Sequence, residues 1–486
     1  MNRVAETKNR ELKKLHVRAA LPKYFRIGAG VVLALTVLAI GIGFYKARNN
    51  AEFRMKGFPT SLSKDVIASV NGYERREVEG DVVKYYIKAD KATTFADNHQ
   101  ELENVYLQVF ADDGQSFDQI TAQKAVHIPE ENKNFTGYFA GDVNIHTRDD
   151  LKVKTEQVTY RRADETAAAD EQVEFERENV RGKAFGAVVN VPQKKLELLR
   201  DVEIETFETP ELAASNVRQS LIKAGYASYD QLNEKIDLNS GVQATFNSSS
   251  GTADVNSNRA AVYLVEVTEG GRDVKKLELF ENVRISTRQS DGKPTNIESG
   301  YALYEKDIDR FDLRQGVHIV TVEDEKPRNI TSVDANYEQR NGKVFLEGNA
   351  EITQGSDLIR GDHITAELYP NKKLKSSVVL GNAYLRQAVP DRTTEVSGAE
   401  LNAAFNENQH LQNANAIGNG TAVLTPANAV DYSKVTMTAP KAIRVVFKGE
   451  GLLEQMFTDG RTTIQLDVPN GSTDAANKRV TADTVK

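Results

Sequence analysis

Cysteine and tryptophan are absent from this 486-residue chain. Without cysteine, the chain can form no disulfide framework, no thiolate nucleophile and no cysteine-ligated metal site. Residues 1–26 carry eight Lys and Arg against two Glu, a net charge of +6, which leaves −14 for the other residues within the total of −8. Because phosphate contacts need a basic stripe, we expect no nucleic-acid partner.

One long hydrophobic run interrupts this polar composition at residues 27–45. Its nineteen residues carry no charge and would span about 28 Å as a helix, the length of one bilayer crossing. The basic residues precede the run, which predicts a cytoplasmic basic tail over 1–26, a single-pass transmembrane anchor over 27–45, and a remainder on the other side of the membrane. A cleaved signal peptide is the alternative, but the run is long for one and no A-x-A follows it.

The motifs that carry enzyme chemistry are also missing. The sequence contains no G-x-S-x-G, P-loop, H-E-x-x-H or dinucleotide fingerprint. His146 and His363 stand beside acidic residues but are interpreted as surface histidines. The acidic runs at 164–178 and 322–327 lack the spacing of a calcium loop. We therefore expect no enzyme activity, no metal site and no cofactor.

What the sequence does contain is strand periodicity and a repeated unit. After residue 80, apolar and polar residues alternate, and dipeptides such as Asn341-Gly342 and Asp459-Gly460 are typical of hairpins. A pentapeptide with a small turn residue and alternating apolar positions, such as GDVNI, starts at residues 103, 141, 171, 200, 240, 281, 315, 348, 381 and 418. A second motif, which begins apolar-x-small, precedes most copies of the pentapeptide, as in IKADKATTF at 87 and IESGYALYE at 297. Repetition at 29 to 41 residues predicts stacked β units that share one core.

The apolar positions of the repeats should face one side of the strands. If the sheets close, they form a dry core; if two sheets splay apart, they line an apolar trough, and the pattern leaves both open. TFETPELAASNVRQSL at 206–221 breaks the rhythm and predicts a domain boundary with a short helix or linker. The candidate groove residues are Val105, Leu107, Val143, Ile145, Val158, Tyr160, Val202, Ile204, Val283, Ile285, Val317 and Ile319.

The arrangement resembles the lipopolysaccharide-transport proteins of the LptC, LptA and OstA type. Residues 60–205, including YYIKADKATTF, DDGQSFDQITAQKAVHI and GYFAGDVNIHTRDDLKVKTEQVTY, resemble the periplasmic domain of LptC. Residues 206–486 resemble further OstA/LptA-like repeats, and the repeat that opens at Val480 predicts that the natural chain continues or that another molecule completes it. The chain is longer than a typical LptC, which has one jellyroll.

The resemblance implies an all-β fold of tandem open β-jellyrolls of antiparallel sheets, preceded by the single N-terminal transmembrane helix. It implies a role in lipopolysaccharide export, with the anchor in the inner membrane, the bulk of the chain in the periplasm, and the acyl chains of lipid A shielded in a continuous apolar groove. The implied partners are lipopolysaccharide, an inner-membrane ABC transporter of the LptB2FG type contacted through helix 27–45 and the first jellyroll, and an LptA-like or outer-membrane OstA-like protein joined by edge-strand addition. The alternative is a structural or adhesive β-repeat protein with a closed core and no lipid.

Overall fold

A computed structural model describes residues 62–485, apart from 81, 112–113, 149, 208–216, 249–250, 269–270, 290–291, 324–325, 409, 429–431, 449–451 and 470–475. The predicted tail and anchor at 1–45 lie outside the described residues, as does most of the predicted helix or linker at 206–221. Among the residues that the model covers, no helix is both long enough and apolar enough to cross a membrane. Residues 63–486 form one compact unit.

The described chain is all-β, as predicted, with a single 3-10 turn at Glu131–Lys133. The first seventeen strands are β1 Val66–Glu79, β2 Val82–Phe95, β3 Gln100–Phe110, β4 Phe117–Pro129, β5 Phe135–His146, β6 Lys152–Arg161, β7 Thr166–Arg177, β8 Val180–Asn190, β9 Lys195–Leu198, β10 Val202–Phe207, β11 Val217–Ala224, β12 Tyr226–Asp230, β13 Lys235–Asn239, β14 Val242–Ser248, β15 Gly251–Ser257, β16 Arg259–Thr268 and β17 Gly271–Gln289. The others are β18 Pro294–Glu305, β19 Arg310–Arg314, β20 Val317–Glu323, β21 Lys326–Ser332, β22 Asp334–Glu338, β23 Lys343–Gln354, β24 Asp357–Leu368, β25 Leu374–Val389, β26 Arg392–Phe405, β27 Leu411–Ile417, β28 Gly420–Pro426, β29 Lys434–Ala439, β30 Ala442–Lys448, β31 Leu452–Asp459, β32 Thr462–Asp467 and β33 Lys478–Ala482.

All 33 described strands belong to one hydrogen-bonded sheet in which every recorded pairing is antiparallel. Strands β1 to β8 form a simple meander. The end of β8 then pairs with β9 and its start pairs with β10. From this point two ladders of strands run side by side. We call them the first arm (β9, β12, β13, β16, β19, β22, β27, β30, β31) and the second arm (β10, β11, β14, β15, β20, β21, β28, β29, β32, β33).

Long strands join the two arms at intervals. One half of β17 pairs with β16 of the first arm, and its other half pairs with β15 of the second arm. Strands β18 and β26 also divide between one strand of each arm, and β23 pairs with β22 of the first arm and with β21 of the second arm. Strand β10, which ends at Phe207, pairs directly with β11, which starts at Val217, so the described strands on either side of the predicted boundary belong to the same sheet. The domain boundary predicted there stays a prediction.

A bend separates the two arms, and the repeated pentapeptide forms it. In β5, β17, β23 and β25 the register shifts at the motif, and residues such as Asp142 (φ 45°) and Asn349 (φ 48°) adopt the left-handed conformation. Gly141 and Asp142 lie within β5 as a bulge, because one strand continues through the bend. We call this line of bulges the corner.

The turn dipeptides divide into two groups. Asn341-Gly342 joins the paired strands β22 and β23 and is a hairpin, as predicted. Asp459-Gly460 joins β31 of the first arm to β32 of the second arm, which do not pair with each other among the described strands. It therefore lies at the corner. The same kind of dipeptide occurs in the hairpin and at the corner because both positions need a residue in the left-handed conformation.

Candidate functional site

An uninterrupted line of apolar residues runs along the second arm and through the meander. Each member is the direct cross-strand partner of the next, and the line crosses 23 strands from β2 to β33. At about 4.8 Å per strand the line is about 100 Å long. This aliphatic row consists of Ile87, Leu107, Ile120, Ile145, Val153, Phe175, Gly182, Ile204, Ile222, Ala244, Val255, Ile285, Ile297, Ile319, Ile330, Ile352, Ile359, Leu385, Val396, Ala422, Met437, Ile464 and Val480.

Two sequence motifs alternate to build the aliphatic row. The fifth residue of each pentapeptide supplies one member, such as Ile285, and the first residue of each apolar-x-small motif supplies its partner, such as Ile297. Gly182 is the one member without a side chain. A Cβ atom there would lie 2.3 Å from the ring of Phe175, so that ring covers the glycine and the apolar surface continues.

A second line lies two residues closer to the corner on the same strands. It pairs the third residue of a pentapeptide with the small residue of the other motif, as in Val283 with Ser299, Val317 with Ser332 and Ala350 with Gly361. Val283 is 1% exposed and Ala350 is also 1% exposed. There is little room for a larger residue at such a position, since a Cβ atom at Gly361 would collide with Cγ1 of Val379. We call this line the corner row.

Burial decreases with distance from the corner. From Ile285 onward, most members of the aliphatic row are half-buried although they pack against the same hydrophobic cluster as the corner row. The first arm shows the same gradient: Leu279 is 4% exposed, whereas Leu277, two residues further from the corner, is half-buried. The rows nearest the corner are therefore the most tightly packed, and the rows beyond them keep part of their apolar surface exposed.

The first arm supplies the opposite wall. Its line nearest the corner alternates large and small residues that pair directly, as in Leu279 with Ala302 and Leu313 with Ala335, and these residues are buried. The next line outward is richer in aromatic residues, and the Tyr304 and Phe311 rings stack with centroids 4.5 Å apart. Both arms contribute to a single hydrophobic cluster.

Aromatic side chains fill the interior at the amino-terminal end. Tyr85 of β2 and Phe135 of β5 are 3% and 2% exposed, and their rings meet edge to face with centroids 5.1 Å apart. Tyr160 lies 5.8 Å beyond Phe135 by ring centroids. In agreement with this filling, Ile87 and Leu107 of the aliphatic row are fully buried. Ile145 is the first half-buried member of the row.

His127 is a buried titratable group within this aromatic cluster. Its ring centroid lies 4.9 Å from that of Phe135, and its Nδ1 atom has no hydrogen-bond partner in the described structure. Burial, followed by the positive charge of Arg75, lowers the pKa of His127 to about 4. His127 is therefore neutral at physiological pH and acts as one more packed ring.

The opposite face of the second arm is polar. Lys183, Glu203 and Lys223 are cross-strand neighbours there, with Nζ–Oε distances of 3.1 and 3.3 Å. On the exposed surface, Nε2 of His146 donates to Oδ1 of Asp150 at 2.8 Å, and His363 pairs with Glu347. No group of three or more potential metal ligands occurs among the described residues.

The structure gathers all twelve candidate residues into the hydrophobic cluster. They fall into two classes that the sequence did not distinguish. Ile145, Ile204, Ile285 and Ile319 are half-buried and belong to the aliphatic row. The other eight are buried. Leu107 also belongs to the aliphatic row, and Val158 and Tyr160 lie on the first-arm side. The remaining five belong to the corner row: Val105, Val143, Val202, Val283 and Val317.

Comparison with known families identifies two parts of this array. Residues 32–206 match the family model described as lipopolysaccharide-assembly, LptC-related. The chain contains an LptC-related region. Residues 329–437 match the model described as LptA/(LptD N-terminal domain) LPS transport protein, so the resemblance predicted from the sequence is confirmed. A comparison with curated proteins found no match.

The LptC-related region and the LptA/LptD-type region share one construction. The aliphatic row runs through both, from Ile87 to Ile204 in the former and from Ile330 to Met437 in the latter. Residues 207–328, which neither match includes, carry the same row from Ile222 to Ile319. The half-buried residues of this middle segment that the sequence analysis did not select include Ile222 and Ile297, and the apolar-x-small motif was the signal that could have found them.

Proposed function

We propose that this protein is a membrane-anchored periplasmic conduit for lipopolysaccharide, in which the acyl chains lie against the aliphatic row. The observation that carries the proposal is the unbroken cross-strand continuity of that row over 23 strands, most of whose members from Ile145 onward are half-buried. Each methylene moved from water onto such a surface gains about 0.8 kcal/mol. A lipid with several acyl chains therefore needs cover at every point of an aqueous crossing.

The two matched families support this function, since their descriptions name lipopolysaccharide assembly and transport. On this proposal, the arms form tandem open jellyrolls and residues 27–45 anchor the chain in the inner membrane. The LptC-related region would receive lipid from an ABC transporter, which hydrolyses ATP, and the protein itself would catalyse no reaction.

The ends of the sheet suit strand addition. Strand β1 pairs only with β2 among the described strands, and its Val66 and Ile67 are 58% and 65% exposed. At the other end, β33 pairs only with β32. An LptA-like or outer-membrane OstA-like partner could extend the row by adding a strand, because an unpaired edge presents free backbone donors and acceptors.

Site-specific photo-crosslinking tests the conduit. A photoreactive residue at Ile285 or Ile319 should capture glycolipid in cells, whereas one at the adjacent outward positions, Arg284 and His318, should not. These pairs share strands and differ only in the face of the sheet. Equal capture at both faces, or none at Ile285 and Ile319 while a known lipopolysaccharide carrier is labelled, would favour a structural or adhesive array and overturn the proposal.

A further inference from the structure

A third line of inward residues lies two positions beyond the aliphatic row, about 7 Å further from the corner. We call it the rim row. In β14 and β15 its members are Phe246 and Ala253, and in β28 and β29 they are Leu424 and Val435. Between these apolar stretches the rim row is polar on eight successive strands of the array. The polar members are Thr287, Thr295, Thr321, Arg328, Gln354, Asp357, Gln387 and Thr394.

The polar members interact along the row. Thr295 and Thr321 are cross-strand partners with Oγ1 atoms 3.1 Å apart. Arg328 donates from a guanidinium nitrogen to Oε1 of Gln354 at 3.1 Å. Asp357 accepts the backbone N–H of Ala388 at 2.8 Å. The threonines, Arg328 and Gln354 are half-buried, so these hydroxyl, amide and guanidinium groups border the apolar surface instead of extending into bulk water.

The apolar aliphatic row and the polar rim row beside it match the apolar and polar parts of an amphiphile. Acyl chains on the aliphatic row would place ester and amide carbonyls, sugar hydroxyls and phosphate at the next row outward. Threonine hydroxyls both donate and accept, and a guanidinium binds phosphate oxygens in a fork. The outer face needs no such chemistry, since its charged groups are solvated. In the strands that flank this polar stretch the rim row is apolar, so sheet formation alone does not require threonine here.

We propose that the polar stretch of the rim row, from Thr287 to Thr394, is a headgroup-binding station for a phosphorylated, acylated sugar part-way along the groove. This inference rests on the proposed conduit function and adds a polar subsite to it. The threonines bind the sugar and carbonyl groups, and Arg328 binds the phosphate.

The test uses the full-length chain and three purified probes: a phosphorylated tetra- or hexaacyl disaccharide, its dephosphorylated form, and palmitate. The variant Thr287→Val/Thr295→Val/Thr321→Val removes three hydroxyls and keeps β-branched side chains of similar volume. Its matched control, Thr331→Val/Thr421→Val/Thr438→Val, makes the same change on the opposite face, where these threonines are members of one outward cross-strand line. Thermal melting checks that both variants fold.

The rim variant should lose about tenfold in affinity for both disaccharide lipids and bind palmitate as the parent does, while the control should bind all three unchanged. Arg328→Met should weaken only the phosphorylated lipid, and inorganic phosphate should not compete up to millimolar concentration if the headgroup is the ligand. Equal disaccharide binding by parent and rim variant overturns the station. Failure of every probe, palmitate included, to bind the parent overturns the conduit itself.

Discussion

A single acidic residue in the aliphatic row should interrupt the path. Ile319 lies between Ile297 and Ile330 in the row and is half-buried. In Ile319→Asp the carboxylate can stay hydrated in the lipid-free protein, so the fold should survive. An acyl chain passing over it loses contact worth about three methylenes, or about 2.4 kcal/mol at 0.8 kcal/mol each. This loss alone corresponds to about a 50-fold lower occupancy, and dehydration of the carboxylate adds to it.

The effect should depend on position along the row. Photo-crosslinking at Phe175, before the substitution, should still capture glycolipid in Ile319→Asp, whereas crosslinking at Leu385, beyond it, should fall by about 50-fold if lipid enters at the LptC-related end. Val320→Asp is the matched control, because Val320 is the next residue of β20 and faces outward. It should leave both signals unchanged. Unreduced capture at Leu385 in Ile319→Asp would refute a continuous path through this row.

Two further predictions concern stability. The pKa of His127 is about 4 in the folded chain and near 6.5 in the unfolded chain, so protonation favours the unfolded chain and the free energy of unfolding should fall by about 2 kcal/mol between pH 7.5 and 5. His127→Phe should remove this pH dependence in urea melts, and an unchanged dependence would contradict the assignment. In the same melts, Gly355→Ala should lower the free energy of unfolding by about 1 kcal/mol and Gly381→Ala should lower it further, because both glycines have positive φ but only at Gly381 would a Cβ atom collide with a neighbour, Asp362. Equal losses would show that the corner tolerates a side chain.

The sequence predicted the strands well because alternation is a local property. It also predicted that Val202 and Ile204 face the same side, and both join the hydrophobic cluster. It could not predict that Val202 is 2% exposed while Ile204 is half-buried. That difference depends on distance from the corner, and the corner forms only when several bulges align across paired strands. Register between distant strands is a tertiary property that one motif does not contain.

The amino-terminal end illustrates the same limit. The motifs that contain Ile87 and Leu107 are indistinguishable in pattern from those that contain Ile297 and Ile319, yet only the first pair is fully buried. Ile87 and Leu107 share their buried cluster with Phe135, which comes from a strand outside both motifs and packs against Tyr85. Aromatic residues that fill a groove are compatible with the repeat pattern and leave no mark in its spacing.

Uniformity along the row is what a transport function requires. A deep binding site at one strand would hold the lipid there, because each additional 1.4 kcal/mol lengthens the occupancy tenfold. The row avoids this by repeating isoleucine, leucine and valine at nearly every strand, with Phe175 covering Gly182. The polar stretch of the rim row departs from this uniformity. For the lipid to move past it, the headgroup contacts there must be individually weak and distributed over several strands, as the threonine hydroxyls on β17, β18 and β20 are.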